Sequence, residues 1–416
     1  MPDNRNQIKT MAQILASSSY QEGCKLLFEI FSRSREFKND PRIIWDTQKS
    51  LIEFFLYLKE EKNRIKQAES QFGLGIIKRL TSVLMQIADS IAWRSLKYDR
   101  VPIQLMAEHS KTGEPDETII RDFSTAEQIL EHEEQPTILI NDLTTILRHG
   151  DLTIIDKDKI RLLETKHGKA SRKNRRAKRQ RRTLDQLIEF MNVGYRFRED
   201  RREFLYKTDT SLATYHSNVK EAINAAKQIG YCQMVLSDCL RIEVTYPNAV
   251  KGNLPTEHLF EDEDKILPFT NLFLFENTAP GIAPYGIFPF DNETCFDIMA
   301  GNIFITGYLN LESLRKLYEK FGLYLELPDF LKWETLSSVP EKKSFLESTR
   351  FVVGDGDKFI GLTLFNIARI CAEFITEDSV IKTNVQILNL IKGLRIPPDR
   401  VSSFYIGHKN ETSLWT

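Results

Sequence analysis

The chain has 416 residues, 41% hydrophobic and 28% charged, with 57 basic against 58 acidic side chains. That balance fits a soluble globular protein of two or three domains and excludes a general basic bias, so any polyanion-binding charge must be a local concentration. No run approaches 18 apolar residues, and the opening "MPDNRNQIKTMAQILASSS" lacks the charged-then-apolar order of a signal peptide, so a cytoplasmic protein with no membrane span is expected. The five cysteines, Cys24, Cys232, Cys239, Cys295 and Cys371, form no C-x-x-C pair and read as reduced, buried thiols rather than a disulfide framework or a zinc site.

Residues 8–110 read as helices. "CKLLFEIFSRSREF", "IIWDTQKSLIEFFLYLKEE" and "IIKRLTSVLMQIADSIAWRSL" repeat apolar residues at three- and four-residue spacing, and Pro41 suits a first helical turn. Residues 111–136 are acidic and turn-rich, with a short helix expected over 125–133. From Thr137 the period changes, and "TILIND", "DLTIID" and "IRLLETK" read as short strands bounded by turn residues. Helices are expected over about 170–192 and 211–229, and one or two strands in "YCQMVLSDCLRIEVTY". Residues 247–264 read as a loop with an acidic cluster. After it come a strand "NLFLFE", a helix "NLESLRKLYEKFGL", a hairpin turning at Asp355-Gly356 and a helix "LFNIARICAEFI". Three regions follow from this reading. They are a helical region over 1–136, with 70–110 expected against the following core, an α/β core over 137–250, and an α/β region over 251–416 whose role the sequence does not state.

Chemistry concentrates in residues 150–182. Turning the chain at "DKDK" with Ile155 opposite Ile160 pairs residues whose numbers sum to 315, so Asp151 would face Glu164, with Lys166 on the same face. Two opposed carboxylates repel unless one is protonated or a cation lies between them. Oxygen ligands of this kind suit Mg²⁺, with Mn²⁺ as the alternative ion, and a lysine alongside can orient water or stabilise charge on phosphorus. Nine Lys or Arg and no acid lie among the sixteen residues from His167 to Arg182. The expected helix there has an apolar stripe of Leu184, Leu187, Ile188 and Met191. Extended backwards, that stripe reaches Gln180. The basic residues on the other faces could neutralise a nucleic-acid backbone.

"GD", twelve residues, "ETK" and then a basic helix with a glutamine together resemble the PD-(D/E)XK nuclease superfamily, over about residues 137–195. The resemblance implies a restriction-endonuclease-like mixed sheet flanked by helices, and a Mg²⁺-dependent phosphodiesterase, with DNA favoured as substrate and RNA the alternative. It assigns Asp151 and Glu164 to the metal, Lys166 to the water and Gln180 to a supporting role. Asp89 is the candidate for a further metal-binding acid on a preceding helix, with Asp142 and Glu53 competing. Lys169, Arg172, Lys173, Arg175, Arg176 and Arg179 are the expected nucleic-acid contacts. The family's usual proline before the first acid is here Gly150. Superfamily analogy also suggests a genome-defence effector, gated by a regulatory partner protein or a second copy of the chain. Beside this stands a plainer alternative: a non-catalytic nucleic-acid-binding or scaffold protein with structural acids, a core glutamine at 180 and a capping or surface acid at 89.

Overall fold

The computed structural model describes residues 13–36, 40–68, 70–107, 118–133, 135–147, 149–157, 159–165, 175–198, 201–247, 266–271, 282–328, 350–356, 358–393, 402–409 and 411–415. The protein is a mixed α/β chain of many helices and small sheets. Its contacts divide it into two units. Unit one comprises residues 1–206, 284–300 and 401–407; unit two comprises 207–283, 301–400 and 408–416. The expected boundary at 136/137 lies inside unit one, and that at 250/251 inside unit two. No described helix is long and apolar enough to cross a membrane.

Unit one opens with helices α1 (Ser18–Glu36), α2 (Pro41–Gln67), α3 (Gln71–Ser95) and α4 (Arg100–Ala107). Asp40 caps α2 by accepting from the Arg42 amide, and Pro41 occupies the first helical position, where its missing N–H costs nothing. The three long helices bury the apolar stripes read from the sequence, including Leu27, Phe31, Leu51, Leu84 and Ile87. Trp93 is fully buried, with the Arg100 guanidinium 4.9 Å above its ring.

Helix α5 (Thr118–His132) begins two turns earlier than the expected 125–133. It leads to the antiparallel sheet β1 (Thr137–Ile140), β2 (Leu152–Asp156) and β3 (Lys159–Leu163), in the order β1–β2–β3. The β2–β3 register is the expected one: Ile155 pairs with Ile160, and Thr153 with Leu162. The outer edge of β1 is covered by the α2 side chain Gln48, which donates to the Ile138 carbonyl (2.7 Å) and accepts from the Ile140 amide (2.9 Å). A helix side chain thus takes up hydrogen bonds that a fourth strand would make.

Helix α6 (Arg175–Val193) packs against β3 and against β4 (Tyr195–Arg198). Strand β4 forms a hairpin with β5 (Arg201–Thr208) that the sequence reading did not identify. The buried stripe of α6 is Leu184, Leu187 and Phe190, with Ile188 and Met191 half-buried. Phe190 therefore belongs to the stripe expected from 184, 187, 188 and 191.

Unit two holds helix α7 (His216–Ile229), shorter than expected, and an antiparallel sheet of β6 (Tyr231–Val235), β7 (Leu240–Thr245), β8 (Ile266–Thr270) and β9 (Phe304–Asn310), in the order β6–β7–β9–β8. Strand β7 buries Leu240, Ile242 and Val244, alternating with half-buried Arg241, Glu243 and Thr245, the pattern of a sheet with one packed face. The strand expected at 271–276 falls, apart from Asn271, outside the described residues; β8 precedes it. Most of the expected acidic loop at 247–264 also lies outside them. Helix α8 (Asn292–Ala300) belongs to unit one. Helix α9 (Leu311–Lys320) caps with Asn310. It precedes the sheet of β10 (Tyr324–Glu326), β11 (Arg350–Gly354) and β12 (Phe359–Thr363). The β11–β12 hairpin turns where expected, with Gly356 at φ 99°. Helices α10 (Leu364–Ala372) and α11 (Glu377–Gly393) follow; β13 (Ser402–His408), which up to Gly407 belongs to unit one, joins β4 and β5 in the order β13–β5–β4. All five cysteines are free, and all but the half-buried Cys232 are buried.

Candidate metal centre

The site forms where β2 and β3 leave their shared ladder. The Asp151 amide donates to the Leu163 carbonyl (2.8 Å), although Leu163 is already the register partner of Leu152. The ladder slips here by one residue, and Asp151 does not pair squarely with Glu164. Gly150 is part of the cause. Its φ is +76°, and a Cβ there would lie 3.0 Å from the Leu163 carbonyl oxygen. Proline, with φ fixed near −65°, could not take this conformation. Asn141, itself buried, holds the same corner. Its side-chain nitrogen donates to the carbonyls of His149 (2.9 Å) and Gly150 (3.2 Å), and its side-chain oxygen accepts from Thr153 Oγ1 (2.8 Å).

The slip brings Asp151 onto Thr165. Asp151 Oδ2 accepts from the Thr165 amide (2.7 Å) and from Thr165 Oγ1 (2.9 Å). The same hydroxyl is in hydrogen-bond contact with Asp122 Oδ1, on α5. Asp122 lies on the buried stripe of that helix with Ile119 and Ala126, and its relative exposure is 0%. Trp45 of α2 stacks on Phe123 of α5 at 4.6 Å, and Arg161 of β3 pairs with Glu133 just beyond α5, so α5 is tied to α2 on one side and to the hairpin on the other.

Burial pushes the Asp122 carboxyl up to about 6. The charges of Asp151 and Asp142 push the same way, against the Thr165 hydrogen bond and the Arg121 guanidinium. Asp122 Oδ2 has no hydrogen-bond partner among the described residues. A buried carboxylate oxygen without a donor, near two further acids, is a place where a cation would be favourable. Among the described residues no group of three or more His, Cys, Asp or Glu side chains converges to hold a metal ion. A magnesium ion needs only one or two carboxylates and takes its remaining oxygens from water and phosphate. The residues present fit that requirement through Asp122 and Asp151.

The other expected residues are placed as follows. Glu164 follows β3 directly, is half-buried and adjoins Thr165. Asp89 is buried on α3, but both its oxygens are engaged by Thr145: Oδ1 accepts from the amide (2.7 Å) and Oδ2 from the hydroxyl. It anchors the 141–147 loop, and the helix acid that meets Asp151 is Asp122. Lys166, Lys169, Arg172 and Lys173 lie outside the described residues. Arg175, Arg176, Arg179 and Gln180 belong to the N-terminal half of α6, with Gln180 one turn before the buried Leu184. The sequence signal for Asp122 was present: an acid on the apolar repeat of Ile119, Phe123, Ala126 and Leu130, visible once the helix is extended back to Thr118.

A cleft of about 510 Å³ lies within unit two, lined among others by Tyr215, Ser237, Lys320, Glu377 and Lys382. Its buried Glu377 is fully used, accepting from Tyr215 (2.7 Å) and Ser237 (2.6 Å), which ties α11 to the β6–β7 turn. Comparison of the chain with family models, curated proteins and solved structures gives no match.

Proposed function

We propose that the protein is a metal-dependent nuclease that hydrolyses phosphodiester bonds, with DNA the favoured substrate and a restriction-endonuclease-like core at residues 137–195 as the catalytic frame. One observation carries the reading: Asp151 and a buried helix acid, Asp122, converge on a single threonine hydroxyl beside Glu164. Asp151 and Asp122 would hold Mg²⁺ or Mn²⁺, with Glu164, the family-pattern acid, adjoining them. When bound, the ion supplies positive charge at the scissile phosphate and acidifies the attacking water. Lys166, the next residue in the sequence after Thr165, would position that water and stabilise the charge growing on phosphorus. Gln180 would support the site from the first turns of α6. Lys169, Arg172, Lys173, Arg175, Arg176 and Arg179 would neutralise the backbone, giving affinity that falls steeply with salt and carries no sequence preference.

The direct test is a cleavage assay on duplex DNA, single-stranded DNA and RNA, with Mg²⁺ or Mn²⁺ and with EDTA. Cleavage that requires the metal and is abolished by Lys166→Ala, with thermal unfolding unchanged, is expected. Cleavage that persists in the variant contradicts the mechanism. Nucleic-acid binding without cleavage under any condition would favour a scaffold role for the basic segment, with structural acids.

A further inference from the structure

We infer that Thr165 is a positioning residue whose hydroxyl sets the spacing of the Asp122 and Asp151 carboxylates for a divalent cation. This rests on the metal-dependent reading above and adds to it a residue that neither binds the ion nor touches substrate. Thr165 occupies the middle position of "ETK", where the E-x-K pattern asks for no particular side chain. It is nevertheless 2% exposed and in contact with two acids from different elements.

A hydroxyl carries one proton and can donate it to one acceptor at a time. Thr165 Oγ1 lies within hydrogen-bond distance of Asp122 Oδ1 and Asp151 Oδ2 together. Three oxygens in a row therefore share one threonine proton between two contacts. With both acids ionised, one of those contacts is oxygen against oxygen with nothing between. A further positive charge near the row relieves it. The Thr165 amide, 2.7 Å from Asp151 Oδ2, keeps that carboxylate in place whichever way the hydroxyl turns. The hydroxyl thus ties α5 to the end of β2 at the level of the acids, and it acts on the cation only through them. Groups that orient metal-binding carboxylates in this way are typically worth 10–100-fold in affinity.

The test uses the full chain and Mn²⁺ titration calorimetry on wild type, Thr165→Val, Thr165→Ala and Thr165→Ser. Thermal unfolding in EDTA checks that each variant is folded. Valine keeps the branched shape and the backbone amide but loses the hydroxyl; alanine removes the hydroxyl with less steric demand, should valine unfold the protein; serine keeps the hydroxyl. The expected result is Mn²⁺ affinity lowered by roughly tenfold or more in the valine and alanine variants and close to wild type in the serine variant. The Mn²⁺ concentration for half-maximal cleavage should shift by the same factor. Wild-type affinity in Thr165→Val or Thr165→Ala overturns the inference, as does a serine variant as weak as the valine one. A wild-type protein that takes up no Mn²⁺ contradicts the metal-dependent reading itself, which separates that failure from this one.

Discussion

Asp122 shows how one residue's surroundings define its chemistry. A carboxyl on the buried stripe of an amphipathic helix has lost most of its hydration, and its Oδ2 has no compensating donor among the described residues. Its folded-state value of about 6 stands above the 3.8 of a free aspartate. The native state therefore binds this proton more tightly than the unfolded chain does. The resulting stabilisation is complete below about pH 4 and is lost as pH rises through about 6. Asp122→Asn should abolish that part of the pH dependence. Urea midpoints for the two proteins at intervals between pH 4 and 7 check this: the wild type should lose stability relative to the variant on going up in pH. A gap that moves the opposite way contradicts the burial assigned here. The residue escaped the sequence reading because the segment before Thr125 is rich in acids and turn formers. Charge content outweighed a 3.6-residue period that was already present from Ile119.

At the scale of elements, the β2–β3 ladder from the turn to Leu152 and Leu163 was legible: alternation and a four-residue turn signal fix its register, and one slipped residue would move every side chain to the other face. What the ladder does at its open end was not legible. Pairing by number continues the register to Asp151 and Glu164. The backbone instead slips at Gly150, whose left-handed φ and contact with Leu163 no pairing rule anticipates. Nor does periodicity reveal that Gln48, an ordinary helix residue by its neighbours, closes the β1 edge through two backbone hydrogen bonds. Gln48→Leu keeps the bulk but leaves the buried Ile138 carbonyl and Ile140 amide without that partner. It should cost roughly 2–4 kcal/mol in denaturant unfolding. A variant as stable as the wild type would mean that the edge is satisfied some other way.

For the whole molecule, the sequence changes character at residue 137, yet contacts join the N-terminal helices and the β1–β2–β3 sheet into one unit. The reason is physical. A three-stranded sheet of four- and five-residue strands cannot bury itself, and α2, α3 and α5 supply its cover through Gln48, Asp89 and Asp122. Of the three, Gln48 looks like a surface residue in a helical repeat and becomes informative only once its partner across the unit is known. Unit two packs its own sheet and its own cleft, and nothing in its sequence pattern names a reaction. The central claim is that one divalent cation is held between α5 and the end of β2. Anomalous diffraction from crystals soaked in Mn²⁺ tests it most directly. The account predicts a single strong peak within coordination distance of Asp151 and Asp122 carboxylate oxygens, lost in Asp151→Asn. A soaked crystal with Mn²⁺ bound elsewhere and none between these acids would contradict it.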